Sequence, residues 1–226
     1  MYLMRSGRKI LLSAGLLLCL QLVSGAQEKA VHGIPADVYY LMPSFGQGLI
    51  YFRGQAPAQG KLNICAVDNT LRFIDKSGKE LEATQADNIL RVRIDTVTFI
   101  RYQDVFYRMY PVSPEMGVAL KRDVRIHRDT KQGAYGTTSQ TSSISEYATI
   151  YADGMIYNLD TDKVYPYDVS ETPFLYKGET VFPLTRKNLK KLFPGKKEDI
   201  EAYFKAGNAV PESVDEALAL LTLWAQ

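Results

Sequence analysis

The sequence predicts an α+β protein: mainly an antiparallel β meander, folded as a sandwich or partial barrel, with a C-terminal segment of three short helices. Between residues 37 and 183, apolar and polar residues alternate with period 2 in short segments that are rich in aromatic and β-branched residues. Most connections between these segments are too short for a crossover helix, so neighbouring strands are expected to be antiparallel. After residue 184 the apolar residues recur with helical spacing instead.

The alternating segments predict about ten strands, most of them bounded by turn residues. In the segment 88–95, alternation places Arg91 and Arg93 on the water-facing side of the strand. Asp153-Gly154 and the stretch 75–78 carry the two clearest hairpin signals. Because open twisted sheets rarely grow to this width, we expect the sheet to curl. The predicted strands are 48–53, 61–67, 70–75, 88–95, 97–102, 104–112, 117–126, 148–152, 155–159 and 173–178.

Three helices are predicted after the last strand. Thr185 is placed to cap the first helix, and Gly207 lies where the second helix needs a C-terminal cap. Ser213 and Glu216 have the spacing of a capping box before a third, strongly apolar helix that ends near Trp224. The apolar stripes of these helices need a surface to cover, so we expect them to pack on a face or edge of the sheet.

The first 26 residues have the features of an export signal. Basic residues precede an apolar run at 10–23, and small residues lead to the expected cleavage site after Ala26. The run is shorter than the roughly 20 apolar residues that a membrane span needs. Cys19 leaves an alternative open, namely a lipid-modified cysteine.

The export signal implies a mature chain in three parts and a location outside the cytoplasm. We expect a flexible N-terminus at 27–36, an antiparallel β domain at 37–183 and a helical segment at 184–226. The protein is therefore expected to be periplasmic or associated with the cell surface, with no transmembrane span in the mature chain.

The charge balance argues against a nucleic-acid partner. The whole chain has 27 Lys plus Arg and 25 Asp plus Glu. Arg5, Arg8 and Lys9 belong to the leader, so the mature chain has 24 basic and 25 acidic residues. Nucleic-acid binding usually requires a clear basic excess, which the mature chain lacks.

Residues suited to catalysis or to metal binding are few. Cys65 is the only cysteine after the leader, and it lies in an alternating segment where a buried thiol is typical. His32 and His127 are far apart in sequence and lack the paired spacing of zinc ligands. We therefore predict no catalytic residue, no metal site and no cofactor.

Two tyrosine-rich stretches are the predicted ligand-binding region. The Ser/Thr-rich stretch 133–147 is expected to be a long exposed loop bracketed by two tyrosines. The stretch 155–176 places tyrosines beside aspartates, an arrangement typical of carbohydrate platforms, although aromatic strand residues are also common core residues. The candidate ligand-binding residues are Tyr135, Tyr147, Tyr157, Asp160, Asp162 and Tyr165.

The sequence contains the run GLIYFRG followed by GKLNICAVDNTLRFIDKSGKELEA, then NILRVRIDTVTFI, then YG with a Ser/Thr-rich segment, and the terminal PLTRKNLKKLFPGKKEDIEAYFKAGN. Together these motifs resemble a group of uncharacterised secreted envelope proteins from gut-type bacteria. The resemblance covers nearly the whole mature chain. It implies an envelope location and the same architecture, and it implies no catalytic residue, because that group has no assigned activity.

These features predict an exported, non-enzymatic envelope protein with a binding or assembly role. The alternative is a hydrolase or binding protein that acts on envelope or dietary polysaccharide. The partner is unknown at this stage, and either an envelope protein or a glycan fits. Asp95-Thr96-Val97 also matches a short acceptor pattern for O-glycosylation at Thr96.

Overall fold

A computed structural model describes residues 34–84, 86–127 and 166–225 of the chain. These residues form a ten-stranded antiparallel open sheet with three helices near the C-terminal end and one short helix before the first strand. The prediction of an α+β fold that is mainly β, with a terminal group of three helices, is therefore confirmed.

The strands and helices follow one another in a simple order. The strands are β1 (Gly46–Phe52), β2 (Ala58–Ile64), β3 (Leu71–Ile74), β4 (Glu80–Glu82), β5 (Ile89–Ile94), β6 (Val97–Tyr102), β7 (Val105–Ser113), β8 (Met116–Ile126), β9 (Tyr167–Lys177) and β10 (Thr180–Pro183). The helices are α1 (Ala36–Tyr39), α2 (Arg186–Leu192), α3 (Lys197–Lys205) and α4 (Val214–Ala225).

The strand order across the sheet is β10-β9-β8-β7-β6-β5-β1-β2-β3-β4. Every neighbouring pair is antiparallel, and all but one pair are consecutive in sequence. The exception is the pair β1 and β5, because β1 lies between β5 and β2. Strands β1–β4 therefore form one antiparallel meander, and strands β5–β10 form a second one that joins the first through the pairing of β1 with β5. Predicted strands 148–152 and 155–159 and the Asp153-Gly154 hairpin lie outside the described residues.

The sheet curls in opposite directions in its two halves. We call the face of the sheet that carries Val118 and Leu175 the helix face. We call the opposite face, which carries Arg91 and Thr98, the trough face. Alternate residues of each strand belong to one face or the other, and the strand register shows which. Strands β1–β7 curl around the helix face, and strands β6–β10 curl around the trough face. The result is a single hydrogen-bonded sheet, closer to the expected partial barrel than to two stacked sheets.

The first half buries its helix face against itself. Leu71 of β3, Val92 of β5 and Phe106 of β7 belong to one core, although four strands lie between β3 and β7 in the sheet. Such contacts require the sheet to bend over its own side chains. Phe99 and Ile100, adjacent on β6, are both buried because the two halves enclose opposite faces there.

The second half buries its trough face in the same way. Ile100, Tyr107 and Tyr176 form a core with Val181 on the edge strand β10. Arg91 Nη2 on β5 donates a hydrogen bond to the Gly178 carbonyl in the β9–β10 turn at 3.1 Å. Since β6, β7 and β8 separate β5 from β9, this bond shows how far the edge has curled.

The three terminal helices cover the helix face of the second half. Val118 and Leu175 on the sheet pack in one core with Leu189 of α2, Ile200 of α3 and Leu221 of α4. The predicted caps form: the Thr185 side chain accepts a hydrogen bond from Asn188 N, and Ser213 Oγ accepts one from Glu216 N. Gly207 has φ +86°, a conformation that suits glycine after a helix.

The segment before β1 is tied to β2 by a buried asparagine. Asn63 is fully buried, and its Oδ1 accepts hydrogen bonds from Met42 N (3.2 Å) and Ile64 N (2.8 Å). Its Nδ2 donates to the Met42 carbonyl at 3.0 Å. Ile34, within the segment expected to be flexible, has no exposed surface and packs in the core around α1.

Candidate functional site

The six ligand-binding residues chosen from the sequence all lie outside the described residues. They are Tyr135, Tyr147, Tyr157, Asp160, Asp162 and Tyr165. The structure therefore does not test them, and they remain predictions. The described part of the chain offers a different candidate, which the sequence did not single out.

Three adjoining cavities form a groove on the trough face, which we call the arginine trough. Their volumes are about 600, 320 and 370 Å³. The first and second share Leu90 and Glu179, and the second and third share Arg91 and Thr98, so the cavities run on from one to the next. The arginines that adjoin these cavities are Arg53, Arg91, Arg93, Arg101 and Arg108, of which Arg101 and Arg108 belong to the helix face by register, opposite Phe106 and Phe99.

Strand alternation places two of these arginines on the floor of the trough. On β5, Val92 and Ile94 are fully buried on the helix face, while Arg91 and Arg93 project from the other side. Thr98 lies directly opposite Arg93 on β6. An apolar side chain at either arginine position would be exposed there, so the alternation of β5 also sets the chemistry of the groove.

Arg101 closes one end of the trough, and its charge is compensated. Its side chain is 10% exposed and pairs with Asp104 at 2.8 Å and with Asp87 at 3.8 Å. It also donates to the Ala86 carbonyl, and its guanidinium lies 5.8 Å from the centre of the Phe106 ring. This arginine is therefore held in place by several partners and is a structural element of the trough wall.

The β9–β10 turn forms the opposite wall. Arg91 is bonded to the Gly178 carbonyl, and Arg53 is 3.8 Å from Glu179. The side chains of Arg53 and Glu179 are 71% and 56% exposed, so this ion pair is weak. The hydrogen bond from Arg91 to the Gly178 carbonyl therefore holds this wall in place. The exposed ion pair between Arg53 and Glu179 is weak enough for a bound ligand to replace it.

Arg93 supplies charge in the trough that no described residue neutralises, and Arg108 adjoins the third cavity from the helix face, opposite Phe99. Arg93 is exposed and has no ion pair or hydrogen bond to any residue of the described ranges. Arg108 is exposed and its guanidinium lies 5.3 Å from the centre of the Tyr110 ring. The cavity that Arg108 lines with Arg91 contains no carboxylate among its described lining residues. This end of the trough is suited to an anionic group.

Tyr176 lies under the trough and brings a buried hydroxyl close to it. Its side chain is fully buried, and its hydroxyl has no hydrogen-bond partner among the described residues. Burial raises the pKa of Tyr176, and the positive charge of Arg91 partly opposes that rise. The hydroxyl therefore stays protonated at neutral pH.

The groups that could act as nucleophiles are shielded. Burial raises the pKa of the Cys65 thiol to about 12, with a further contribution from the charge of Asp68. A thiol in this state is a poor nucleophile at neutral pH. Burial also raises the pKa of Tyr39 and of Tyr40, whose hydroxyl donates to Glu80 Oε2 at 2.8 Å.

His127 lies at the exposed end of β8, far along the strand from the trough. Its Nε2 is 2.7 Å from Asp168 Oδ2 on β9, and both side chains are largely exposed. Cys65 belongs to the core around α1, which also includes Val124 and Ile126 of β8. No hydrogen bond or ion pair between Cys65 and His127 is present among the described residues. The pair is explained as a cross-strand contact between β8 and β9.

The described residues contain neither a metal-binding cluster of side chains nor a membrane-spanning helix. Within 34–84, 86–127 and 166–225, no three or more His, Cys, Asp or Glu side chains are grouped so as to hold a metal ion. No helix in the described part of the chain is both long and apolar enough to cross a membrane.

Comparisons with known proteins do not add a family. No protein-family model, curated protein or solved structure matches this chain. The function of this protein is therefore inferred from the residues of the trough and from the sequence.

Proposed function

We propose that this protein is an exported, non-enzymatic binding protein of the cell envelope, and that the arginine trough binds an acidic ligand. The observation that carries the proposal is the row of adjoining cavities in which Arg91 and Arg93 face the groove and form no ion pair with a described carboxylate. Export is supported by the leader-like residues 1–26 of the sequence.

The chemistry of the lining favours oxyanions carried on a hydroxylated ligand. A guanidinium offers parallel N–H donors that match carboxylate, sulfate or phosphate oxygens. Thr96, Thr98 and Tyr51 add hydroxyl groups and an aromatic face along the same groove. An acidic glycan presents charged groups and hydroxyls together, so it is the ligand class that uses this lining most fully.

The binding role is favoured over catalysis by the state of the reactive groups. Cys65 is sealed in a core, and the acidic residues Asp87 and Asp104 at the end of the trough are paired with Arg101.

A glycan array tests the proposal directly. The purified protein is applied to neutral, carboxylated, sulfated and phosphorylated glycans, and we expect retention on acidic glycans alone, decreasing when salt is raised from about 0.05 to about 0.5 M. The preferred acidic group separates carboxylate, sulfate and phosphate ligands. Equal retention on neutral glycans would overturn the assignment of the trough.

Arg93→Ala identifies the site, and Arg125→Ala is its control. Arg93 is exposed in the trough, whereas Arg125 is an exposed arginine on β8 outside it. We expect Arg93→Ala to weaken binding by about tenfold, as for one charge-assisted contact, and Arg125→Ala to leave it unchanged. A hydrolase screen on the same glycans provides a further test, since turnover would contradict the non-enzymatic role.

A further inference from the structure

Residues 167–172 of β9 form an edge of the sheet that no strand of the described residues covers. β9 pairs with β8 along its whole length, but β10 pairs only with residues 174–177 and ends at Pro183. All residues from 167 to 172 are exposed, and no described strand lies on their other side. An unpaired edge of this length presents backbone groups that another strand can bond.

Two hydrogen bonds fix which backbone groups point outward. Gly178 N donates to Glu115 O at 2.7 Å, and His127 N donates to Pro166 O at 2.8 Å. Even-numbered residues of β9 therefore direct their N–H and C=O groups toward β8, and odd-numbered residues direct theirs away from it. The outward-directed residues beyond the end of β10 are Tyr167, Val169, Glu171 and Pro173.

We propose that a second copy of this chain pairs with this edge, antiparallel, about a twofold axis at Val169. In this register Tyr167 lies opposite the partner's Glu171, and Val169 lies opposite the partner's Val169. On the other face Asp168 lies opposite the partner's Ser170. The three residues that direct their backbone groups outward, at positions 167, 169 and 171, would each form a hydrogen-bonded pair with the partner strand. Together these three pairs exchange about six backbone hydrogen bonds.

The other registers are disfavoured by charge or by proline. Sliding the partner by one step in one direction sets Asp168 opposite the partner's Asp168. Sliding it the other way sets Tyr167 opposite the partner's Pro173, which has no N–H to donate. A further step sets Glu171 opposite the partner's Glu171. Like charges directly opposite destabilise a strand pair, so the edge is complementary to itself in one register.

The side chains of this edge are consistent with an interface. Tyr167 and Val169 are 36% and 38% exposed, and they are two of the three large apolar side chains that the described residues leave exposed. Carboxylates usually keep edge strands apart. Here Asp168 pairs with His127 at 2.7 Å and Glu171 with Arg122 at 3.6 Å, which reduces their repulsion of a second strand.

The interface is short, so we infer a weak dimer. A ladder of about five residues buries less than the roughly 1,000 Å² that stable interfaces exceed. We therefore expect self-association at micromolar to millimolar concentration. Such pairing acts independently of the arginine trough and requires no ligand.

Sedimentation equilibrium of the purified protein from about 1 µM to about 1 mM tests the proposal, with the weight-average mass as readout. We expect a monomer–dimer equilibrium that Val169→Pro abolishes, because this substitution removes the central outward N–H. Proline is tolerated at outward-facing positions of edge strands, so the fold is expected to be retained. Circular dichroism and the melting temperature verify that it is.

Two substitutions at Ser170 test the register without changing the backbone. Ser170→Asp places a carboxylate opposite the partner's Asp168, and we expect the dimer dissociation constant to rise by about tenfold. Ser170→Lys places an opposite charge there and is expected to lower it severalfold. A monomer at every concentration, or a dimer that Val169→Pro and both Ser170 variants leave unchanged, would overturn the proposal.

Discussion

The first half of the sheet (β1–β7) and the second half (β6–β10, which overlaps the first at β6 and β7) belong to one sheet, but their helix faces are buried by different means. In the first half the sheet bends over its own side chains, so that Leu71 and Phe106 share a core. In the second half the sheet bends the other way, and α2, α3 and α4 cover the face that the bend exposes. The difference shows that alternation determines which side chains are buried, while curvature determines what buries them.

The largest expected effect comes from truncating a side chain in the core that α2, α3 and α4 form with the second half of the sheet. Leu221 on α4 is fully buried against the sheet, and we expect Leu221→Ala to lower the free energy of unfolding by about 2–5 kcal/mol. Leu223, two residues further along the same helix, is 62% exposed and is the matched control. Leu223→Ala should change stability by less than about 0.5 kcal/mol in urea titrations.

Equal losses for these two variants would show that α4 does not seal the sheet in the way described. Hydrogen exchange sharpens the comparison further. In Leu221→Ala we expect faster exchange in β8 and β9 than in β2 and β3, because local opening follows the contacts that are lost.

Asn63 provides the corresponding test in the first half of the sheet, which bends over its own side chains. Asn63→Ala leaves the N–H and C=O groups of Met42 without their partner, and we expect a loss of about 1–3 kcal/mol in the free energy of unfolding. The control is Asn208→Ala, in which an exposed asparagine loses one bond to the Tyr203 carbonyl. Similar effects for the two variants in thermal melts would contradict the role of Asn63.

The cap of α2 predicts a smaller effect. Thr185→Ala removes the acceptor for Asn188 N and should cost about 1 kcal/mol of stability in chemical denaturation. Thr185→Ser keeps the hydroxyl and should retain most of the stability. If both variants lost the same amount, the methyl group and not the cap would be responsible.

The smallest expected effect lies at the β3–β4 turn, at the opposite end of the strand order from the three C-terminal helices. Hydrogen bonds from Ser77 Oγ and from Lys79 N hold the pKa of Asp75 below its ordinary value. The turn is therefore stabilised above the unfolded pKa of this carboxyl, and that stabilisation is lost as pH falls through the lower folded pKa. NMR titration should show a lowered Asp75 midpoint, and Ser77→Ala should raise it.

The sequence predicted the strands whose apolar residues alternate and missed those that lack such residues. β4 is only Glu80–Glu82, and β10 is four residues joined to β9 by the tight turn at Gly178. Neither has an alternating stripe long enough to recognise. β9 begins at Tyr167, six residues before the start that the sequence predicted at residue 173. These six residues were missed because they are exposed and do not carry a long apolar alternation, and in the described residues they pair only with β8.

Prediction of the site was limited by the same physics. Alternation was sufficient to place Arg91 and Arg93 on the water-facing side of β5. It gave no sign that the Gly178 turn would reach Arg91, since that contact depends on the curl of four later strands. Long-range pairing such as that of β1 with β5 is likewise absent from any local pattern.

The burial of Cys65 has a consequence for how the protein is damaged. In the native state the thiol cannot reach glutathione or another chain, so an oxidising compartment leaves it unmodified. Once the chain opens, the same thiol can form a mixed or intermolecular disulfide that blocks its return to the core. Under oxidising conditions, brief unfolding thus becomes permanent inactivation, and a reductant added before heating should preserve the fraction that recovers.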